Sequence, residues 1–202
     1  VPRVDTDVLI VGAGPAGSSA AAAAAKARAR VLMVEKTPHV GDASRSVGFV
    51  PLMFANGLDL PPILMRQRIK GTRIHIDEEV TDRPWPGYTI PVRNLFRVIA
   101  GTAASLGTEV RSGYSLTSLT PTGAARFTSP DGDMEVHAKV IVACDGARSE
   151  AARLLNLEPN PLLDAFQCEV LLLEERPWIN LYLHRNLHGG FAWMYPRRTT
   201  AS

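Results

Sequence analysis

Val11-Gly12-Ala13-Gly14-Pro15-Ala16-Gly17 follows the apolar run Asp7-Val8-Leu9-Ile10 and opens the alanine-rich stretch Ser18 to Ala29, after which Val31-Leu32-Met33-Val34 closes on Glu35. A strand, a glycine turn, a helix and a second strand ending in an acid fit within about the 30 residues of a βαβ unit. Each part has its own task on a dinucleotide. Gly12 permits the tight turn, Gly14 lets the backbone approach the pyrophosphate, and Gly17 lets helix and strand pack closely. Pro15 suits a first helical position, where its missing N–H costs nothing. The amides that follow, from Ala16 on, present the positive helix end to phosphates. Glu35 can accept hydrogen bonds from both ribose hydroxyls, with Lys36 beside it at the cofactor. A glycine pattern alone is weak; the flanking strands, helix and acid make it specific. An acid at the ribose position repels a 2′-phosphate, so FAD or NAD fits better than NADP.

Working outward, 202 residues with 46% apolar and 21% charged side chains describe an ordinary globular chain able to bury a sizeable core. A net charge of +2 without a long basic run gives no signature of nucleic-acid binding. No stretch approaches the ~18 uninterrupted apolar residues of a membrane span. The first apolar segment carries the glycine fingerprint rather than a cleavage pattern, so the expected compartment is the cytoplasm. Cys144 and Cys168 form no CxxC, and no metal site is indicated. His184 and His188 stand four apart, but in a polar strand-turn without a third ligand, and a solvated hairpin is favoured over a metal site.

The expected elements are parallel strands at 7–11 and 31–35 joined by helix 15–29, and an antiparallel strand at 68–76. A turn region follows at 82–87, then a helix from Asn94 to Leu106. Strands are expected at 108–112 and 114–119, followed by a hairpin through Pro130–Asp133. A short buried strand is expected at 139–143, and a helix to Leu155. After Pro159 and Pro161 the pattern turns all-β, with candidate strands at 166–174, 178–184 and 190–195. The fold class is therefore α/β: a Rossmann-like βαβ domain with a parallel sheet, plus an antiparallel β lobe. The expected division is a cofactor domain over 1–160, with an excursion at 61–92 toward the lobe, and the start of a β-rich substrate domain over 161–202.

Three further segments carry a resemblance. Pro91-Val92-Arg93-Asn94-Leu95-Phe96-Arg97, then a helix, resembles the arginine-led helix of glutathione-reductase-type FAD proteins. Val140-Ile141-Val142-Ala143-Cys144-Asp145-Gly146 resembles their strand ending in Asp-Gly, with cysteine where alanine is commoner. Gly190-Phe191-Ala192-Trp193-Met194-Tyr195-Pro196 resembles the aromatic-x-Trp-x-aromatic-Pro segment of geranylgeranyl reductases, a branch of the aromatic hydroxylase-like class. The resemblance implies an FAD enzyme in which Gly12, Gly14, Pro15, Ala16, Gly17, Glu35, Lys36, Arg45, Arg93, Asp145 and Gly146 bind the cofactor. Phe191, Trp193 and Tyr195 would wall an apolar substrate pocket. On residue chemistry alone, Arg93 is equally a surface arginine and Arg45 nearly as readily a solvated one, while for Asp145 the flanking pattern favours a ribose ligand over a cap for the next helix.

The cysteine-glycine pair of the archaeal reductases is missing from Ser44-Arg45-Ser46. The family's third FAD motif, a Gly-Asp pair leading into a helix, is absent as well. The resemblance covers nearly all of this chain but about half of a typical family member. It implies reduction of carbon–carbon double bonds in an isoprenoid-like substrate, with NAD(P)H or a reduced carrier as donor. Peripheral membrane contact is expected if that substrate is a lipid. The rivals are a flavin hydroxylase or halogenase of the same fold, and a non-catalytic dinucleotide-binding fragment. No proton donor and no oligomeric state are assigned.

Overall fold

The structure, a computed structural model, describes every residue except Arg45, Asp59, Pro159, Asn160 and His188. In chain order, the first elements are β1 (Arg3–Val11), α1 (Pro15–Lys26), β2 (Val31–Glu35), β3 (Phe49–Pro51) and α2 (Leu52–Ala55). Next come β4 (Gln67–Ile76), β5 (Glu79–Thr89), α3 (Val92–Ser105), β6 (Glu109–Ser112), β7 (Ser115–Leu119) and β8 (Ala124–Thr128). The last are β9 (Met134–Ala143), α4 (Glu150–Leu154), β10 (Val170–Leu171), β11 (Trp178–Leu183), β12 (Ala192–Met194), β13 (Pro196–Arg197) and β14 (Thr200–Ala201). Two compact units result, residues 1–44 with 96–162 and residues 45–95 with 163–202.

The first unit holds a six-stranded sheet in the order β6-β2-β1-β9-β8-β7. β6, β2, β1 and β9 run parallel, and β8 and β7 form an antiparallel flap. Alternation along β1 and β2 divides the core into two layers. Leu9, Val11, Leu32 and Val34 pack with Phe127, Met134, Val136 and Ala151 on one face. Ile10, Val31 and Met33 pack with Ala21, Ala100 and Ala103 on the other. Full burial of each Leu, Ile or Met contributes roughly 1.5–3 kcal/mol, while the small residues of α1 allow that helix to lie close to the sheet.

Several boundaries differ from the sequence expectation, each for a physical reason. α1 ends at Lys26 rather than 29, because Arg28 N–H donates to Ala25 O and Ala29 N–H to Ala24 O around Arg28 at φ 65°, a Schellman stop without glycine. Residues 139–143 belong to the longer β9, in which Lys139 and Val140 are exposed rather than buried.

In the second unit, a five-stranded sheet runs β12-β11-β4-β5-β3 and a three-stranded one β10-β14-β13. The expected turn at 82–87 is instead the middle of β5. β3 covers only Gly87 to Thr89 of that strand, so Pro84 and Pro86 fall where β5 is an edge and the missing amides break no ladder on that side. Only Val170–Leu171 of the expected strand 166–174 pairs, and 190–195 shrinks to Ala192–Met194.

Candidate functional site

The glycine turn, the Glu35 end of β2 and the Cys144-Asp145-Gly146 end of β9 meet at the carboxyl edge of the parallel strands. Gly12 N–H donates to Val34 O at 2.7 Å, and Cys144 N–H to Val11 O at 2.7 Å. β1 lies between β2 and β9, the position at which open α/β sheets bind ligands.

Gly12 and Gly17 are glycine for steric reasons. Gly12 sits at φ +98°, and a Cβ there would lie 2.4 Å from the Cys144 carbonyl oxygen. A Cβ on Gly17 would lie 1.9 Å from the Gly12 carbonyl oxygen. Gly14 is different: a Cβ would meet nothing within 4 Å, and its φ of −70° suits any residue. The fold therefore does not require glycine at 14, whereas a pyrophosphate seated against that backbone does.

The two helices at this edge start differently. At α4, Ser149 Oγ accepts from Ala152 N–H at 3.0 Å, Asp145 accepts from Ser149 Oγ at 2.6 Å and from Ala151 N–H at 3.0 Å, and Glu150 stands in the first turn. At α1, Gly14 is the N-cap, no side chain caps the helix, Pro15 takes the first position, and the first turn holds no acid. The amides of Ala16 and Gly17 have no acceptor within the helix by its geometry. With the helix dipole they form a site for an anion. Those observations fit FAD: residues 12–17 would hold its pyrophosphate and Glu35 its adenosine ribose.

Glu35 is buried, and its carboxylate already accepts three hydrogen bonds. Oε2 accepts from Ala13 N–H at 2.9 Å, and Oε1 accepts from Thr37 N–H and Thr37 Oγ1, both at 2.9 Å. Of about four lone-pair sites on a carboxylate, one is left, so both ribose hydroxyls cannot be accepted without a rearrangement. Asp145 uses one lone pair of each oxygen on the start of α4, a capping role that leaves about two of its four acceptor sites open. Gly146 (φ +89°) keeps that turn low, and Lys36 is exposed beside Glu35. Arg45 lies outside the described residues, as does His188 of the declined histidine pair.

Sequence reasoning missed Thr37 and Ser18. Ser18 is fully buried and donates from Oγ to Ala13 O at 3.2 Å, bracing the turn from behind. A hydroxyl two residues past an acid carries no signal of its own. Burial, then the Asp145 charge, pushes the Cys144 thiol up from its ordinary range. Among the described residues, no three of His, Cys, Asp and Glu could hold a metal ion.

The remaining predicted residues belong to the second unit. Arg93 is exposed on the first turn of α3. Phe191 and Trp193 meet edge to face with ring centroids 5.9 Å apart. Trp193, Leu181 and Ile74 occupy one register position across β12, β11 and β4, giving that sheet an apolar stripe. Tyr195 is not on that strand: its N–H donates to Ser202 O at 2.7 Å and its carbonyl accepts from Ser202 N–H at 3.1 Å. The chain therefore turns into the β13–β14 hairpin just beyond Met194, and burial pushes the Tyr195 phenol up.

A Rossmann-like sheet with a bare helix start and a buried acid closing β2 suits a dinucleotide-binding domain, and residues 5–201 match the family model described as FAD binding domain. The chain belongs to that family, and its cofactor is FAD. Among relatives, it is 29% identical to the digeranylgeranylglycerophospholipid reductase of Thermoplasma volcanium over 95% of this chain and 53% of that protein. Among solved structures, a geranylgeranyl bacteriochlorophyll reductase-like protein of Thermoplasma acidophilum superposes with a TM-score of 0.82 at 23% identity, covering 98% of this chain and 55% of that one. A flavin-dependent brominase superposes with a TM-score of 0.78 at 16% identity over 98% of this chain and 55% of its own. Both structural likenesses show the fold. The chain spans about half the length of the relatives it matches. No described helix is long and apolar enough to cross a membrane.

Proposed function

We propose that this chain forms the FAD-binding half of an oxidoreductase that reduces carbon–carbon double bonds of an isoprenoid-like apolar substrate. The observation that carries the reading is the likeness to the Thermoplasma volcanium reductase over 95% of the chain. The uncapped α1 start and the Glu35 acceptor supply its cofactor site. Residues 1–44 with 96–162 serve as the FAD-binding part and 45–95 with 163–202 as the start of the substrate part. In this reading Gly12, Gly14, Pro15, Ala16 and Gly17 seat the pyrophosphate, Glu35 with Lys36 holds the ribose end, and Asp145 and Gly146 shape the neighbouring strand end. Arg45 and Arg93 join the proposed cofactor-binding residues on the family resemblance alone.

The chemistry supplied by bound, reduced FAD is hydride delivery to the double bond. The apolar stripe of Trp193, Leu181 and Ile74, with Phe191 edge to face against Trp193 and Tyr195 on the next hairpin, offers an apolar wall for the substrate. Electrons come from NAD(P)H or a reduced carrier. A cytoplasmic setting, with peripheral membrane contact for a lipid substrate, belongs to the same proposal.

The test begins with the absorption spectrum of the purified chain mixed with FAD. A visible flavin band at one equivalent, with quenched fluorescence, supports the cofactor site. A chain that stays colourless after gel filtration overturns it in favour of a non-binding fragment. Dithionite-reduced, FAD-loaded protein should then saturate a polyprenyl double bond without oxygen. Oxygen consumption matched by a hydroxylated or halogenated product would instead select the monooxygenase or halogenase reading, to which the brominase fold is related.

A further inference from the structure

We infer that Thr37 is a positioning residue for the ribose acceptor, an internal competitor whose hydroxyl occupies Glu35 until a sugar displaces it. The inference rests on the reading of Glu35 as that acceptor. Thr37 Oγ1 lies 2.9 Å from two acceptors at once, Glu35 Oε1 and the carbonyl oxygen of His39. A hydroxyl has one hydrogen, so only one of the two is satisfied at a time. The main chain around it is held in place: Thr37 N–H donates to Glu35 Oε1, Thr37 O accepts from Gly113 N–H at 3.0 Å, and Glu35 O accepts from Tyr114 N–H at 3.1 Å. Choosing between the acceptors therefore needs only rotation of the hydroxyl hydrogen.

The two settings differ in what Glu35 can accept. With the hydrogen on Glu35, Oε1 is filled and one site remains, on Oε2. With the hydrogen turned to His39, one site opens on each oxygen, which matches the vicinal diol of a ribose. Turned away, Oγ1 and Oε1 face each other as two acceptors at 2.9 Å, a contact relieved by a donor arriving between them. Rotation and sugar binding are thereby coupled. The free protein gives up a hydrogen bond to a carboxylate and gains one to a neutral carbonyl, which is the weaker of the two.

The sign of the effect is what separates this role from simple loop support. Thr37→Val removes the hydroxyl while keeping the side-chain shape and the N–H. It should tighten FAD binding by about fivefold, the difference between a charged and a neutral hydrogen bond. Thr37→Ala should move affinity the same way with a smaller side chain, and Thr37→Ser should restore the wild-type value. FAD titrations of the 202-residue chain by flavin fluorescence, repeated in a Glu35→Gln background, read all of this. In that background the Thr37→Val effect should shrink to less than about twofold. Weaker or unchanged binding in both Thr37→Val and Thr37→Ala overturns the competitor role, as does a gain that persists in full in the Glu35→Gln background. Glu35→Gln that leaves FAD affinity untouched overturns the ribose reading beneath it, a separate and recognisable result.

Discussion

Gly14 and Gly17 stand three residues apart in the same turn, and the structure assigns them opposite consequences on substitution by alanine. At Gly17 a new methyl would lie 1.9 Å from the Gly12 carbonyl oxygen and 3.1 Å from Ile10 Cγ2. The first is main chain of a turn that Gly12 N–H ties to Val34 O, and the second is a buried side chain of β1, so neither swings aside and α1 must lift from β1 by about an ångström or more, disturbing the layer of Ile10, Met33 and Ala21. Overpacking of this kind costs about 1–3 kcal/mol, toward the upper end when the obstacle is backbone. At Gly14 the methyl meets nothing within 4 Å and φ is −70°. Stability should therefore change by only a few tenths of a kcal/mol, the difference between glycine and alanine at an N-cap. Thermal melts of the ligand-free proteins should show Gly17→Ala several degrees below wild type and Gly14→Ala nearly unmoved. FAD titration should then show Gly14→Ala weakened about tenfold or more, because its methyl stands where the diphosphate meets the backbone. If Gly14→Ala binds FAD as tightly as wild type, the α1 start is a plain helix turn and the cradle reading fails.

Other perturbations test the surrounding framework. Arg28 holds a left-handed φ of 65° that costs a residue with a Cβ roughly 1 kcal/mol. Arg28→Gly should stabilise the first unit by about 0.5–1 kcal/mol in urea unfolding; a loss would mean the Schellman stop is not as described. Ser149→Ala removes the α4 cap and should cost about 1 kcal/mol with or without FAD, so a loss seen only in the loaded protein would refute a purely structural role for the Ser149–Asp145 pair. Asp7 accepts from the Arg30 side chain, Lys139 Nζ and Arg30 N–H, and these bonds hold its carboxyl far below the usual range. A depressed folded value means that its stabilisation is complete above the unfolded pKa of about 3.9 and is lost as pH falls through the folded value. Asp7→Asn should accordingly flatten the acid limb of stability below about pH 4, and an unchanged limb would refute the assignment. Cys168 is exposed, while burial and Asp145 raise the Cys144 thiol. At about pH 8, near the ordinary thiol range, one thiol should react promptly with a disulfide reagent and the second slowly. Mass mapping of Cys144 as the prompt one would contradict the structure.

What was legible in the residues, and what was not, follows from the range of each interaction. The βαβ unit could be read because its determinants are local: continuous apolar runs in 8–11 and 31–34, a glycine turn, Pro15, and alanines where the helix meets the sheet. β5 could not, because Pro84 and Pro86 end strands in most contexts. They are tolerated here only because β3 reaches no further than Gly87, and neighbour length is invisible to a local pattern. The aromatic face was half legible: Phe191, just before β12, still meets Trp193 edge to face, but pairing with Ser202 draws Tyr195 away from that strand. At the site, residue types at strand ends were readable while their lone pairs were not. Asp145 and Glu35 look alike in sequence, each an acid closing a parallel strand. Asp145 accepts from Ser149 Oγ and Ala151 N–H and Ser149 Oγ accepts from Ala152 N–H, so two amides at the start of α4 have side-chain partners. Glu35 spends its oxygens on the turn leading into α1 and on Thr37, and leaves the start of α1 without any side-chain partner. An acid that supports the turn without capping the helix leaves the helix charge available to an outside anion. That difference, set by which amide each carboxylate reaches, is why the proposed reading seats the diphosphate at the α1 edge rather than the α4 edge.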